Sequence, residues 1–146
     1  MNDIYETYNQ LEELYLKITN DYLTFTEASI DEALLKHTSV YAFFGAVLAY
    51  AKKEMSEAEN KYEYEEAKTR ENRREELKQA GQKATDRALD AYVKTVDLLR
   101  EEQGTVEVAT HKYHLAKNIV SSLEHQKDML VQISANKRAE VKLHEL

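Results

Sequence analysis

"IDEALLKHTSVYAFFGAVLAYAKKEMSEAENKYEYEEAKTRENRREELKQAG", residues 30–81, contains no proline and meets a strong stop only at its last glycine. Proline and glycine are the main interrupters of regular structure, so the spacing predicts one helix over 30–80. Apolar side chains recur along it in steps of three and four: Leu34, His37, Tyr41, Phe44, Leu48, Ala51, Met55, Ala58 and Tyr62. That period belongs to a helix packed on another helix. Val40, Phe43, Val47 and Tyr50 add a second stripe, so Val40–Ala51 is expected to be covered on more than one side. About 50 helical residues would reach ~75 Å, beyond a compact domain of this size.

The rest of the chain follows the same logic. "SIDE" at 29–32 has the form of a capping box, with Ser29 capping and Glu32 reaching back. Upstream, Ile4, Tyr8, Leu11, Tyr15, Ile18, Tyr22 and Phe25 form an alternating four-three seam, predicting an N-terminal helix over 3–27. Gly81 is a good residue just past a helix end, and "GQKAT" (81–85) reads as a turn with Thr85 capping a short helix. Thr95 is the candidate cap of the last helix, expected over 96–143. Its seam is Leu99, Val106, Ala109, Tyr113, Ala116, Val120, Leu123 and Leu130, with Ile119 and Ile133 alongside. Gly104 lies inside it and marks a position for a kink. The fold expectation is therefore all-α: one helical domain over 1–146, a long antiparallel hairpin joined through 81–95, with an N-terminal helix. A two-helix hairpin cannot shield apolar faces on two sides. Packing into a homo-oligomer through coiled-coil-like seams is the simplest remedy. The candidate interface residues are Tyr41, Phe43, Phe44, Val47, Leu48, Tyr113, Val120, Leu123 and Leu130.

Composition narrows the function. The 146 residues carry a net charge of -7, with 42% apolar residues, 32% charged and no cysteine. Absence of cysteine excludes disulfides, thiolate metal sites and a cysteine nucleophile, and suits a reducing cytoplasm. The N-terminus "MNDIYETYNQ" has no basic segment followed by an apolar one, so no secretory signal is expected. The uncharged apolar run Val40–Ala51 is too short to span a bilayer, which needs roughly 20 residues, so no membrane partner is expected. No phosphate-binding glycine loop or nucleophile elbow is present, and catalysis and cofactors are not expected. Glu107, His111 and His114 share a helical face, but a structural zinc site wants four ligands. Exposed or packed histidines are the ordinary alternative.

Charge is spread unevenly. Residues 1–66 carry 14 acids and 5 bases, whereas 67–100 carry 9 bases and 6 acids. The basic part centres on Lys68, Arg70, Arg73, Arg74 and Lys78, extended across the turn by Lys83 and Arg87. One expectation is an ordinary solvated face, with Glu66 neutralising Arg70, Glu71 Arg74 and Glu75 Lys78. The other is a ladder of cations meeting successive backbone phosphates without reading bases, multiplied by oligomerisation.

Three stretches carry a family resemblance. "YAFFGAVLAYAKKEMSEAE" (41–59) has a tyrosine, an aromatic residue three positions on, and a basic-acidic segment on one helix. "AKTR" (67–70) is similar to a Lys-x-Arg motif, and a short polar connection leads to a helix ending in "HQKDMLVQISANKRAE" (125–140). In these the chain resembles the phage recombination mediator proteins of the UvsY kind over roughly residues 11–140. It departs from them in the acidic "SEAENKYEYEE" (56–66) and in having Phe44 where the family often has tryptophan. The resemblance implies a ring-like homo-oligomer in the cytoplasm of a bacterial host. It would bind single-stranded DNA, remodel single-strand-binding protein and help load a RecA-like recombinase, hydrolysing nothing itself. Lys68 and Arg70 would contact phosphate, with Arg73, Arg74 and Lys78 in support. The alternative from another class is an acidic helical assembly or scaffold protein of phage without nucleic-acid binding, whose basic residues are paired internally.

Overall fold

The computed structural model describes residues 10–13, 16 and 30–145. Within them lie three helices: α1, Ile30–Gln79; α2, Asp86–Val93; and α3, Asp97–His144. Residues 10–13 and 16 are helical as well, while the rest of the 3–27 seam and the Ser29 cap fall outside the described residues.

The punctuation of the chain has clear physical causes. Gly81 adopts a φ of 68°, the left-handed conformation that a side chain resists. The turn it makes returns two amides to the end of α1: Gly81 N–H to the Lys78 carbonyl at 3.1 Å and Gln82 N–H to the Leu77 carbonyl at 2.8 Å. These are the two bonds of a Schellman cap. Thr85 then caps α2, its hydroxyl accepting from the Ala88 amide at 3.3 Å. Thr95 differs from expectation. Its hydroxyl donates to the Tyr92 carbonyl at 2.7 Å, so it closes α2 instead of opening α3. Gly104 causes no break, and α3 runs through it.

The chain packs as two units, residues 1–50 with 114–146, and residues 51–113. In the first, α1 and α3 run antiparallel. Ala33 meets Leu130, with Leu34 and Val40 against them. Further along α1, the fully buried Phe44 meets Ile119 and Leu123, flanked by Val40, Val47, Leu115, Val120 and Leu11. His37 is 2% exposed, and its Nε2 lies 2.7 Å from the Leu123 carbonyl. A carbonyl only accepts, so Nε2 carries the proton. The ring stacks on Tyr41 at 6.3 Å, and the Tyr41 hydroxyl donates to Glu124 at 2.8 Å.

The second unit is also built on antiparallel helices. Lys61 pairs with Glu102 at 2.7 Å and Lys112 with Glu54 at 2.6 Å. Its buried side chains are small on the long helices (Ala51, Ala58, Ala109) and larger near the connection, where Leu89, Val93 and Leu99 lie.

Two sequence expectations change in this light. Phe44, Leu123 and Leu130 are 0%, 0% and 4% exposed inside a single chain, so they are core residues, not a surface for another copy. Val47 and Val120 pack on the same cluster. Of the expected interface set, Leu48 and Tyr113 are half-buried, while Tyr41 and Phe43 are exposed. The stripe Val40, Phe43, Val47, Tyr50 also divides. Three residues turn a helix about 300°, so positions 43 and 50 stand roughly 60° off positions 40 and 47. That offset leaves the valines against the core and puts Phe43 and Tyr50 at 50% and 70% exposure.

Candidate nucleic-acid interface

The basic residues of the second unit fall into two groups, and the split follows from the pitch of α1. On the side turned toward α2 lie Arg70 and Arg73. Arg70 donates from Nε to Glu66 at 2.8 Å, one turn back, and from Nη2 to Asp90 of α2 at 2.6 Å. These two carboxylates push the already high pKa of the guanidinium further up, Glu66 most, so Arg70 is charged throughout any working range. Arg73 donates to Glu76 at 2.8 Å, and its guanidinium carbon lies 4.7 Å from the centre of the Tyr92 ring. A cation over an aromatic face is attracted by the ring quadrupole, by ~0.5–1 kcal/mol at exposed sites. Both arginines thus fasten α2 to α1, the side on which Leu89 and Val93 are buried.

The remaining cations face outward. Arg74 pairs with Glu71 of its own helix, and the pair is at least half exposed on both sides. Lys68, Lys78, Lys83 and Arg87 are exposed, and among the described residues none has a carboxylate within ion-pair distance. Glu75, three residues before Lys78, does not pair with it. Glu71 and Glu75 nonetheless share the outer face with Lys68 and Lys78, so the ladder on α1 is interrupted by acid. Beyond the turn, Lys83 and Arg87 stand without such an interruption on their immediate flanks except Asp86.

Arg70 and Arg73 are thus engaged within the chain itself, with Glu66 and Asp90, and with Glu76 and the Tyr92 ring. Asp90 and Tyr92, their partners 20 and 19 residues away, had no helical spacing to announce them. The available signal was Leu89 and Val93, an i, i+4 apolar pair that turns one face of α2 inward and places Asp90 and Tyr92 at its borders. Among the described residues no three histidine, aspartate or glutamate side chains are grouped to hold an ion, Glu107, His111 and His114 included. No described helix is long and apolar enough to cross a membrane. No family model, curated protein or solved structure matches the chain.

Proposed function

We propose that the chain is a non-enzymatic, self-associating helical protein that binds single-stranded DNA, in the manner of a recombination mediator that loads a RecA-like recombinase where single-strand-binding protein must be displaced. One observation carries this reading: an acidic chain keeps Lys68, Lys78, Lys83 and Arg87 exposed, with no carboxylate in ion-pair distance among the described residues, along the end of α1 and across the turn that follows it. Surface ion pairs are worth ~0–1 kcal/mol, so the Arg74–Glu71 pair yields readily to a phosphate and adds a fifth cation. The resemblance of 41–59, 67–70 and 125–140 to the mediator family supports the same assignment. Repetition of the turn in an oligomer would let a modest cluster hold one strand at several points.

The reading is tested by titrating a labelled oligothymidine with the protein at two salt concentrations, followed by fluorescence anisotropy. Binding that weakens as salt rises, with a log–log slope near -0.7 for each phosphate neutralised, is expected. A second reading, a helical assembly protein with no nucleic-acid role, draws on the internal pairing of Arg70, Arg73 and Arg74. It predicts no binding even at low salt.

A further inference from the structure

Tyr64 stands apart from the other tyrosines of the second unit. Tyr62, Tyr92 and Tyr113 are half-buried, and Tyr92 lies under the Arg73 guanidinium. Tyr64 is 65% exposed, and among the described residues its ring and hydroxyl have no partner. Side chains that meet on a helix surface are those three and four positions apart. For Tyr64 these are Asn60, Lys61, Ala67 and Lys68, all exposed: two cations and no acid. For Tyr62, two residues back, they are Ala58, Glu59, Glu65 and Glu66. This acidic stretch of α1 thus leaves one ring bordered by lysines, with Glu63 and Glu65 turned about 100° to either side. Lys68 has no carboxylate within ion-pair distance among the described residues, and Lys61, paired with Glu102 at 2.7 Å, keeps its side chain 63% exposed.

We infer that Tyr64 is a stacking platform for one unpaired base of a strand whose backbone phosphate lies on Lys68. The inference rests on the DNA-binding function proposed above and specifies how that site takes single strands in preference to duplex. Lysine and arginine alone meet the phosphates of either form and cannot tell them apart. An aromatic face can: every base offers a π-face to it when unpaired, and a base stacked inside a duplex does not. Four helical residues rise about 6 Å, the scale of the step from a nucleotide's phosphate to its own base, so one nucleotide spans Lys68 and Tyr64. Lys61, one turn to the other side of the ring, is placed for a neighbouring phosphate. Glu63 and Glu65 repel phosphate from the flanks of the ring and leave the uncharged base as the part of the strand that meets it. The acidic stretch thereby admits a base where it would reject a backbone.

The test exploits the absence of tryptophan. Tyr64→Trp places a single indole at the platform, and its fluorescence should be quenched by oligothymidine but not by an abasic deoxyribose-phosphate chain of the same length. Tyr50→Trp, at a position 70% exposed and about 21 Å back along the same helix, should keep its fluorescence with both. Tyr64→Ala, with helicity retained by circular dichroism, should bind oligothymidine about tenfold more weakly at an unchanged salt slope, and Tyr64→Phe should bind as the native chain does. Anisotropy of the labelled oligothymidine is followed in every titration. Binding seen by anisotropy with Tyr64→Trp unquenched, or Tyr64→Ala binding as tightly as the native chain, would overturn the stacking role while leaving the DNA contact in place. No anisotropy change with the native chain at low salt would overturn the DNA-binding function, and the platform with it.

Discussion

Arg70 Nη2 lies 2.6 Å from Asp90 Oδ1, across 20 residues of sequence and from one helix to another. With Arg73 over Tyr92, this contact holds α2 on α1. Arg70 is 31% and Asp90 55% exposed, so solvent screens the pair and a double-mutant cycle on Arg70→Ala and Asp90→Asn should give about 0.5 kcal/mol of coupling. The larger effect is local. Hydrogen exchange of the α2 amides should quicken in Arg70→Ala/Arg73→Ala, while that of α3 stays as in the wild type.

The glycines give a paired prediction of opposite sign. Gly104 sits in mid-helix, and a Cβ built there meets nothing within 4 Å. Gly104→Ala should raise stability by ~1 kcal/mol, the helix preference of alanine over glycine. Gly81 has equal room but a φ of 68°. Gly81→Ala should lower stability by ~1–2 kcal/mol, because the left-handed conformation is strained for any side chain. Urea unfolding of the two variants checks both signs.

The core of the first unit should respond as a filled one. Phe44 is fully buried on Ile119 and Leu123, so Phe44→Ala is expected to cost about 3–5 kcal/mol. His37→Ala removes both the donation to the Leu123 carbonyl and a buried ring; about 2–3 kcal/mol is expected in thermal unfolding.

Alkaline pH should weaken the fold. The Glu124 hydrogen bond raises the Tyr41 pKa, burial followed by Glu66 raises that of Tyr62, and the Glu102 hydrogen bond raises that of Lys61. In each case the folded state holds its proton more tightly than the unfolded chain. The contribution is therefore complete below the ordinary values of 10.0 for tyrosine and 10.5 for lysine, and is lost as pH climbs through the raised ones. Melting temperature should be flat in this respect up to pH 9 and fall above about pH 10. Tyr41→Phe/Tyr62→Phe should make the fall shallower.

Much of this architecture was legible in the residues. The glycine that ends α1 and the Thr85 cap follow from local chemistry that acts within a turn or two of chain. The seam on α1 was readable because 3.6-residue periodicity fixes which side chains share a face. What periodicity cannot assign is the partner of each face. The sequence pooled Phe44, Leu123 and Leu130 with Phe43 as interface residues, since all are apolar, and only packing separates the core set from the exposed one. Thr95 was misassigned for a related reason: a hydroxyl can donate backward to a carbonyl as well as accept from the next helix. For the basic stretch, the short-range pair Glu66–Arg70 was visible in the spacing, whereas Asp90 and Tyr92 came within reach only through the fold-back at Gly81.

The most direct test of the account sets two triple-residue comparisons side by side in the oligothymidine titration: Lys78→Ala/Lys83→Ala/Arg87→Ala against Arg70→Ala/Arg73→Ala/Asp90→Ala. The first should weaken binding and make the salt dependence shallower by about two units of slope, with the fold intact. The second should loosen α2 while largely keeping the salt slope. Loss of slope confined to the Arg70 and Arg73 variant, with Lys78, Lys83 and Arg87 dispensable, would contradict the division between fastening and phosphate-facing cations. Absence of binding by the folded wild type at low salt would contradict the DNA-binding function itself.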